Sequence, residues 1–416
     1  MTDVVIVGGG LAGLVCAADL SRAGFQCMVL EASDGIGGRV RSDMIDGFTL
    51  DRGFQIVLAA YPQLRRRLDL DALALGEFAP GAVVRTAKRM YRVADPRRRP
   101  RQLPEDLKSP IASAADKLRA VRLVLDVCVH SVPALLRRPD MSTYARLRRA
   151  GFSDEFITAF WRPLFAGIQL DPELEVSARR FEVVLRTLAL GATGLPGGGL
   201  QALSDRLARA VPAGATRLNA AVTSVRTGAV TLASGEHITA RAVVVATDAP
   251  AAHRLLGDRV PDPGSRPAAC CWFALAAPPV RGPHLILDGE GAGPALNVVV
   301  MSEVQPAYAP AGRALLAAAV PGAGALQARL QERVREQLQR WFDGAAADFE
   351  HLRTDVIPHG QPDQRPPLHP RQRVHLGDGV FVCGDHRDTA SQQGAMFSGE
   401  RAAAAVVRHL RRSSSS

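Results

Sequence analysis

The stretch VVIVGGGLAG, residues 4–13, decides how the chain begins. Its β-branched residues favour a strand, and the glycines at 8, 10 and 13 stand where that strand must turn into a helix of small residues. Gly8 permits the turn, Gly10 lets a phosphate approach the backbone, and Gly13 allows the helix to pack closely. Backbone N–H groups at such a helix start attract an anion. A helix over 11–23 leads to a second strand, CMVLE at 27–31, whose last residue, Glu31, stands 23 residues after Gly8. A carboxylate there can hold the ribose hydroxyls of an adenosine, so the segment predicts a bound dinucleotide.

Length and composition set the frame. A chain of 416 residues, 47% hydrophobic and 22% charged, has the make-up of a globular protein with room for two or three domains. Its net charge of +10 raises nucleic acid or an anionic membrane as partners. Arginines occur mostly as scattered doublets, and only RRRPR at 97–101 is dense, without interleaved aromatics, so nucleic-acid binding is not expected. The six cysteines form no CxxC pair and sit in apolar patterns. They read as reduced core residues of a cytoplasmic protein, with no metal site. No signal peptide is read at the start, no uncharged stretch is long enough to span a bilayer, and the terminal SSSS reads as a tail. Peripheral contact with the inner face of a membrane and the oligomeric state are left open.

After Glu31 the chain continues EASDGIGGRVRS, residues 31–42, too rich in glycine for another helix. Such a segment can lie flat over a pyrophosphate while an arginine neutralises charge. GxGxxG, the strand-ending Glu31 and GGR at 37–39 resemble the flavoprotein superfamily of amine oxidases, protoporphyrinogen oxidases and phytoene desaturases. The resemblance implies noncovalent FAD, with Gly37, Gly38 and Arg39 at its diphosphate. It also implies that GFTLDRGFQIVL, residues 47–58, brings Asp51, Gly53, Phe54 and Gln55 to the flavin ring, Gly53 sparing the ring a side chain.

Further segments agree in order. LPGGGLQALSDRLA at 195–208 matches the superfamily's P-x-G-G segment, and RAVVVATDAP at 241–250 its return crossing. There Val222 would meet adenine by its backbone, and 246–250 would close beside the cofactor. VFVCGDHRDTASQQGAMFSGERAAAAVV at 380–407 is similar to the superfamily's last signature. It implies Gly384 and Asp385 near the ribityl and pyrophosphate, and Gln393, Gly394, Ala395 and Met396 at the flavin edge. A helix start there would stabilise negative charge on the reduced ring.

The expected fold is α/β: a Rossmann-like FAD-binding domain of the glutathione-reductase type, discontinuous over 1–80, 185–250 and 370–416. An interleaved substrate domain of mixed sheet and helices takes 81–184 and 251–369. Its strands are expected at 269–275, 295–301 and 314–320, with an amphipathic helix over 324–341. Residues 96–110 read as a loop between domains. A helix over 108–138 presents a stripe of Leu118, Val121, Leu125, Cys128, Val132 and Leu135, read as core that could in part line an apolar tunnel. FITAFWRPLFAGIQLDPELEVSA, at 156–178, resembles the helical cap segment, and Trp161, Phe165 and Trp272 are substrate-contact candidates.

The flavin carries the redox chemistry, so the protein must supply orientation and dryness. Gln55, Glu303 and His386 are the catalytic candidates. Many amine-oxidising relatives use a lysine in the substrate-domain strands; this chain has only Lys88, Lys108 and Lys117, none of them in those strands. The leading expectation is therefore hydride transfer from an apolar metabolite to the flavin, forming a C=C bond, with oxygen or a quinone as acceptor. Oxidation of an amine to an imine is the alternative, and a nonenzymatic nucleotide-binding scaffold the third reading.

Overall fold

A computed structural model of the chain describes residues 2–94, 98, 109–343 and 348–413. Most of the expected loop at 96–110, almost all of the arginine patch at 97–101, and 414–416 lie outside the described residues. Val4–Val7 forms the centre of a six-stranded sheet in the order Thr216–Arg217, Cys27–Leu30, Val4–Val7, Ala242–Val245, Val380–Val382, His375–Gly377. The first five run parallel and the last is antiparallel. A parallel sheet is buried on both faces, which is why Val4–Val7 and Ala242–Val245 read as unbroken apolar runs. Strands far apart in sequence meet here, giving the expected Rossmann-like α/β fold with interleaved segments.

Helices Leu11–Arg22 and Gln392–Ser413 cross on one face of this sheet. They approach so closely that a Cβ on Gly399 would stand 2.3 Å from the Ala12 carbonyl oxygen. The start of the last helix is thereby carried to the start of the first, two N-terminal ends brought to one side of the molecule.

A second sheet has seven strands in the order Glu350–Pro362, Ser265–Leu275, Ala314–Pro321, Asn297–Val300, Leu285–Asp288, Gly81–Arg85, Met90–Ala94. All neighbours are antiparallel except Leu285–Asp288 with Gly81–Arg85. Alternate residues of Ser265–Leu275 serve different cores. Cys271 and Phe273 face the cluster completed by helix Leu330–Trp341, while Cys270 and Trp272 join the large central core. The expected helix over 324–341 is shorter, because Gly322–Leu326 forms a 3-10 turn before it.

The cap over the cavity is helical: Ala114–Val129, Val132–Leu135, Thr143–Arg149, Asp154–Phe156, Arg162–Gln169 and Ala178–Leu190. Ser113, Ser131, Ser142 and Ser153 each cap a helix by accepting from the backbone N–H three residues on, satisfying an orphan donor of the first turn. Between two of these helices Ile157–Trp161 is a π-helical turn, a wide turn often found at functional sites. The stripe expected over 108–138 is corrected. Helix Ala114–Val129 buries Asp116, Leu123 and Val127, leaving Leu118 61%, Val121 41% and Leu125 51% exposed. It packs against the cap through the opposite face, and Leu118 and Val121 stand on the rim of the cavity.

Candidate active site

A single cavity of about 1390 Å³ runs from the glycine turn at 8–10 to the helical cap. That exceeds the roughly 300–1,000 Å³ of an ordinary small-molecule site, giving room for a cofactor and a substrate end to end. At its first end the wall is backbone. Gly8, at φ +109°, packs so that a Cβ would lie 2.9 Å from the Ala246 carbonyl oxygen. Gly13 stands off the cavity and does the packing expected of it, its absent Cβ falling 2.0 Å from the Gly8 carbonyl oxygen. Gly10 bridges to Gly37 in parallel, and a Cβ on Gly10 would meet nothing nearer than 4.0 Å. That space opens on the cavity, at the N-cap of a helix with no side-chain cap. It is a cradle of the shape and polarity a pyrophosphate needs.

Polar side chains complete this end. Glu31 lines it, accepting from the Gly9 N–H at 2.7 Å through Oε2 and from Ser33 through Oε1. Arg39 donates to Asp385 Oδ1 at 2.8 Å and to the Gly360 carbonyl at 2.7 Å, joining the two signatures from opposite ends of the chain. Gln55 lines the cavity and donates to the Arg39 carbonyl at 2.7 Å. Gly37, Gly38, Gly53, Phe54, Val222 and Gly384 line the same wall. Gly53 is required for a reason the sequence did not show: at φ +89° its absent Cβ would lie 2.5 Å from Ile357 Cδ1 of the second sheet.

Several expected site residues are elsewhere. Asp51 is fully buried off the cavity, where it accepts from Ser42, from the Leu200 N–H at 2.9 Å and from the Tyr308 hydroxyl at 2.8 Å. It clasps the hairpin to the second half of the molecule, and burial pushes its carboxyl up to about 6. His386 does not line the cavity; its ring packs against Gly384, and burial pulls it down to about 4, leaving it neutral. Glu303 is also off the cavity, pairing with Arg281 at 3.3 Å and accepting from the Gly282 N–H. Neither is placed for proton transfer there. Trp272 is a core residue whose Nε1 donates to Asp355 at 2.8 Å, and Phe165 is wholly buried with its ring 4.5 Å from that of Phe181. Trp161 does line the cavity.

At the last helix the register differs by one turn position. Gln392 and Ala395 face the cavity, three residues apart on one helical face. Gln393 instead accepts from the Gln63 N–H at 2.8 Å, Met396 is core, and a Cβ on Gly394 would strike the Thr389 carbonyl. Of the expected quartet, only Ala395 is brought to the cavity.

The second end of the cavity has walls of side chain: Phe54, Tyr61, Phe156, Phe160, Trp161 and Leu164 among them. Two residues missed by sequence reasoning stand here. Asn297 reaches across the chamber wall to donate to the Pro163 carbonyl at 3.0 Å, room for it being made by Gly167. Arg180, buried in helix Ala178–Leu190, also lines the cavity. An arginine in a short helical stretch carried no signal, because the chain has arginines throughout.

Residues 11–407 match the family described as flavin containing amine oxidoreductase. The chain is 50% identical over 51 residues to polyamine oxidase 2 of Arabidopsis thaliana, and 47% identical over 55 residues to the zeta-carotene-forming phytoene desaturase of Myxococcus xanthus. These matches take in 12% and 13% of this chain and only 10% and 11% of those proteins. Among solved structures, an oxidoreductase from Methanosarcina mazei superposes with a TM-score of 0.75 at 19% identity, covering 96% of this chain and 99% of that one. Cyclohexylamine oxidase from Brevibacterium oxydans gives 0.73 at 18%, covering 99% of each. The extent of the family match, with the cradle it predicts present in the fold, places the chain in the flavin-containing amine oxidoreductase family.

Proposed function

We propose that the protein is an FAD-dependent oxidoreductase acting on a small molecule, and that this substrate is an amine, oxidised to an imine. The observation that supports this most is the family match over nearly the whole chain, with amine oxidases recurring among relatives of the same fold. The expectation of C=C formation yields to it as the second reading, kept by one observation: among the described residues no lysine stands on the strands facing the cavity. We further propose the division expected from sequence, with 1–80, 185–250 and 370–416 serving the cofactor and the rest the substrate.

FAD, when bound, accepts the hydride. The residues assigned to it are Gly8, Gly10, Gly37, Gly38 and Arg39 at the diphosphate, Glu31 at the ribose, and Val222 at the adenine. Gly53, Phe54, Gln55 and the Gln392–Ala395 helix start are assigned to the ring. The N–H groups of that start, aimed along the helix axis, favour negative charge. Phe54, Tyr61 and Trp161 exclude water and orient the reacting C–H bond. Among the described residues the cavity's carboxylates are Glu31, which accepts from Gly9 and Ser33, Asp385, which pairs with Arg39, and Asp248. An amine therefore enters the apolar end neutral, having left its proton in water. Loss of hydride from carbon and a proton from nitrogen gives the imine, and the electron pair passes to oxygen, giving peroxide, or to a quinone, giving the quinol.

The test is anaerobic mixing of the FAD-loaded protein with hydrophobic primary and secondary amines, and separately with polyenes, while flavin absorbance is followed. Bleaching by amines with imine or aldehyde formed is expected. Bleaching only by polyenes, with a new double bond, would restore the second reading. Reoxidation by oxygen against a quinone then identifies the acceptor.

A further inference from the structure

The cavity does not stop at the aromatic chamber. Beyond the π-helical turn its wall passes to aliphatic side chains: Ala82 of strand Gly81–Arg85, Val93 of strand Met90–Ala94, Ile111, Val124 of helix Ala114–Val129, and Leu185 and Leu188 of helix Ala178–Leu190. These elements meet in the fold. The two helices pack on one another, the two strands pair, and strand Leu285–Asp288, which pairs with Gly81–Arg85, also touches the π-helical turn Ile157–Trp161. None of the carboxylates among the described lining residues stands on these elements: Glu31 accepts from Gly9 and Ser33, Asp385 pairs with Arg39, and Asp248 caps helix Ala249–Leu256. The cations of this part, Lys117 and Arg98, donate to the backbone carbonyls of Ser109 and Gly191. A polar group on a ligand would lose its hydration between such walls and gain no partner, whereas a methylene gains from every contact.

We propose that these aliphatic walls form a tail site, and that the substrate is a monoamine carried on a long alkyl chain. The amine end, which rests on the reading above, takes the chamber of Phe54, Tyr61 and Trp161. The chain then runs on past the π-helical turn, between helix Ala114–Val129, helix Ala178–Leu190 and the two strands. Diamines of like length are disfavoured, because their second ammonium would be buried in the tail site with no carboxylate beside it.

The FAD-loaded protein is mixed anaerobically with straight-chain amines from propylamine to dodecylamine, below their micelle concentrations, and bleaching of the flavin is followed. It is separately titrated with carboxamides of matching chain length, which carry no amine to oxidise, and perturbation of the flavin absorbance reads their binding. In both series affinity should rise roughly threefold to fourfold per added methylene, the worth of one buried CH2, until the tail site is full. Ala82→Trp, which puts an indole into that site, should end the rise at a shorter chain. Leu188→Phe, at a half-buried position, is the milder block should the tryptophan variant fold poorly. Val129 stands 77% exposed and off the cavity, so Val129→Ser should leave the rise as it is. Affinity that levels off at propyl or butyl in the wild type would overturn the proposal. So would a rise that both blocks leave intact or that Val129→Ser abolishes, since the chain then lies elsewhere. Carboxamides that follow the rise while no amine bleaches the flavin would sink the amine reading and keep the tail site. Amines that bleach the flavin with no dependence on chain length would keep the amine reading and sink the tail site.

Discussion

At the glycine end of the cavity the walls are backbone, and at the cap end they are side chains. Gly8, Gly13 and Gly37 are fixed because any Cβ would collide with a carbonyl oxygen, at 2.9, 2.0 and 2.5 Å. At the other end, Phe156, Phe160 and Trp161 fill space that many apolar residues could fill. A backbone wall tolerates one residue type per position, whereas a side-chain wall tolerates a class. The first kind of wall leaves a motif in the sequence, and the second leaves only hydrophobicity.

The sharpest way to break this contrast is within the first end. Gly13→Ala drives a Cβ into the Gly8 carbonyl and should cost about 1–3 kcal/mol or more, enough to yield little folded protein. Gly10→Ala, with 4.0 Å of clearance, should fold with an ordinary melting temperature and lose flavin instead. Comparable melting and flavin content in both variants would show that the wall is less exacting than its geometry.

Asp51, off the cavity, clasps the hairpin to Leu200 and Tyr308 and gives a pH signature. Its folded value of about 6 lies above that of an unfolded aspartate, so the unfolded chain gives up this proton first as pH rises. The stabilisation is complete below about pH 4, is lost as pH climbs through 6, and amounts to about 3 kcal/mol. Asp51→Asn can keep an acceptor for Ser42 and Leu200 and offer its amide to the Tyr308 oxygen. Denaturant midpoints from pH 4 to 7 should therefore fall for the wild type relative to the variant. A constant difference across that range would place the raised value elsewhere.

Glu31→Ala should cost roughly 1–3 kcal/mol of FAD affinity. The loss combines the ribose contact with the Gly9 N–H it leaves unpaired, and fluorescence titration of the apoprotein measures it. Flavin retained equally by both proteins would remove Glu31 from the site.

Legibility followed the kind of wall. The central strands and the Glu31 strand end were readable because periodicity and glycine spacing record backbone constraints. Gln393, Gly394 and Met396 were misplaced because a motif gives the helix start but not the rotation of its faces; 100° per residue decides which side chain meets the cavity. Asp51 was read as a ring neighbour when it is a clasp, and Gly53, which does line the cavity, also makes room for Ile357. Those partners lie about 250 and 300 residues away, beyond any local pattern. Arg180 and Asn297 left no pattern, since their placement is wholly tertiary.

The two tryptophans offered as substrate contacts test the contrast with the smallest change. Trp272 donates Nε1–H to Asp355, a carboxylate that Arg353 also holds at 3.0 Å, and its ring has no cavity face. Trp272→Phe should therefore cost about 1–2 kcal/mol of stability, because Asp355 loses a donor inside the protein, and leave KM where it was. Trp161 is the reverse case. Its Nε1 has no partner, so removing it forfeits no hydrogen bond, and a phenylalanine ring can still pack edge-on against Phe152 and Phe160. Trp161→Phe should keep its melting temperature within a few degrees while KM for the best substrate rises roughly two- to tenfold, because the smaller ring leaves part of the apolar wall it lines unfilled. Melting curves and steady-state kinetics on the same two proteins separate the effects. If Trp272→Phe moved KM and Trp161→Phe did not, the assignment of the chamber to the cap side would fail, and the substrate would have to approach from the second sheet.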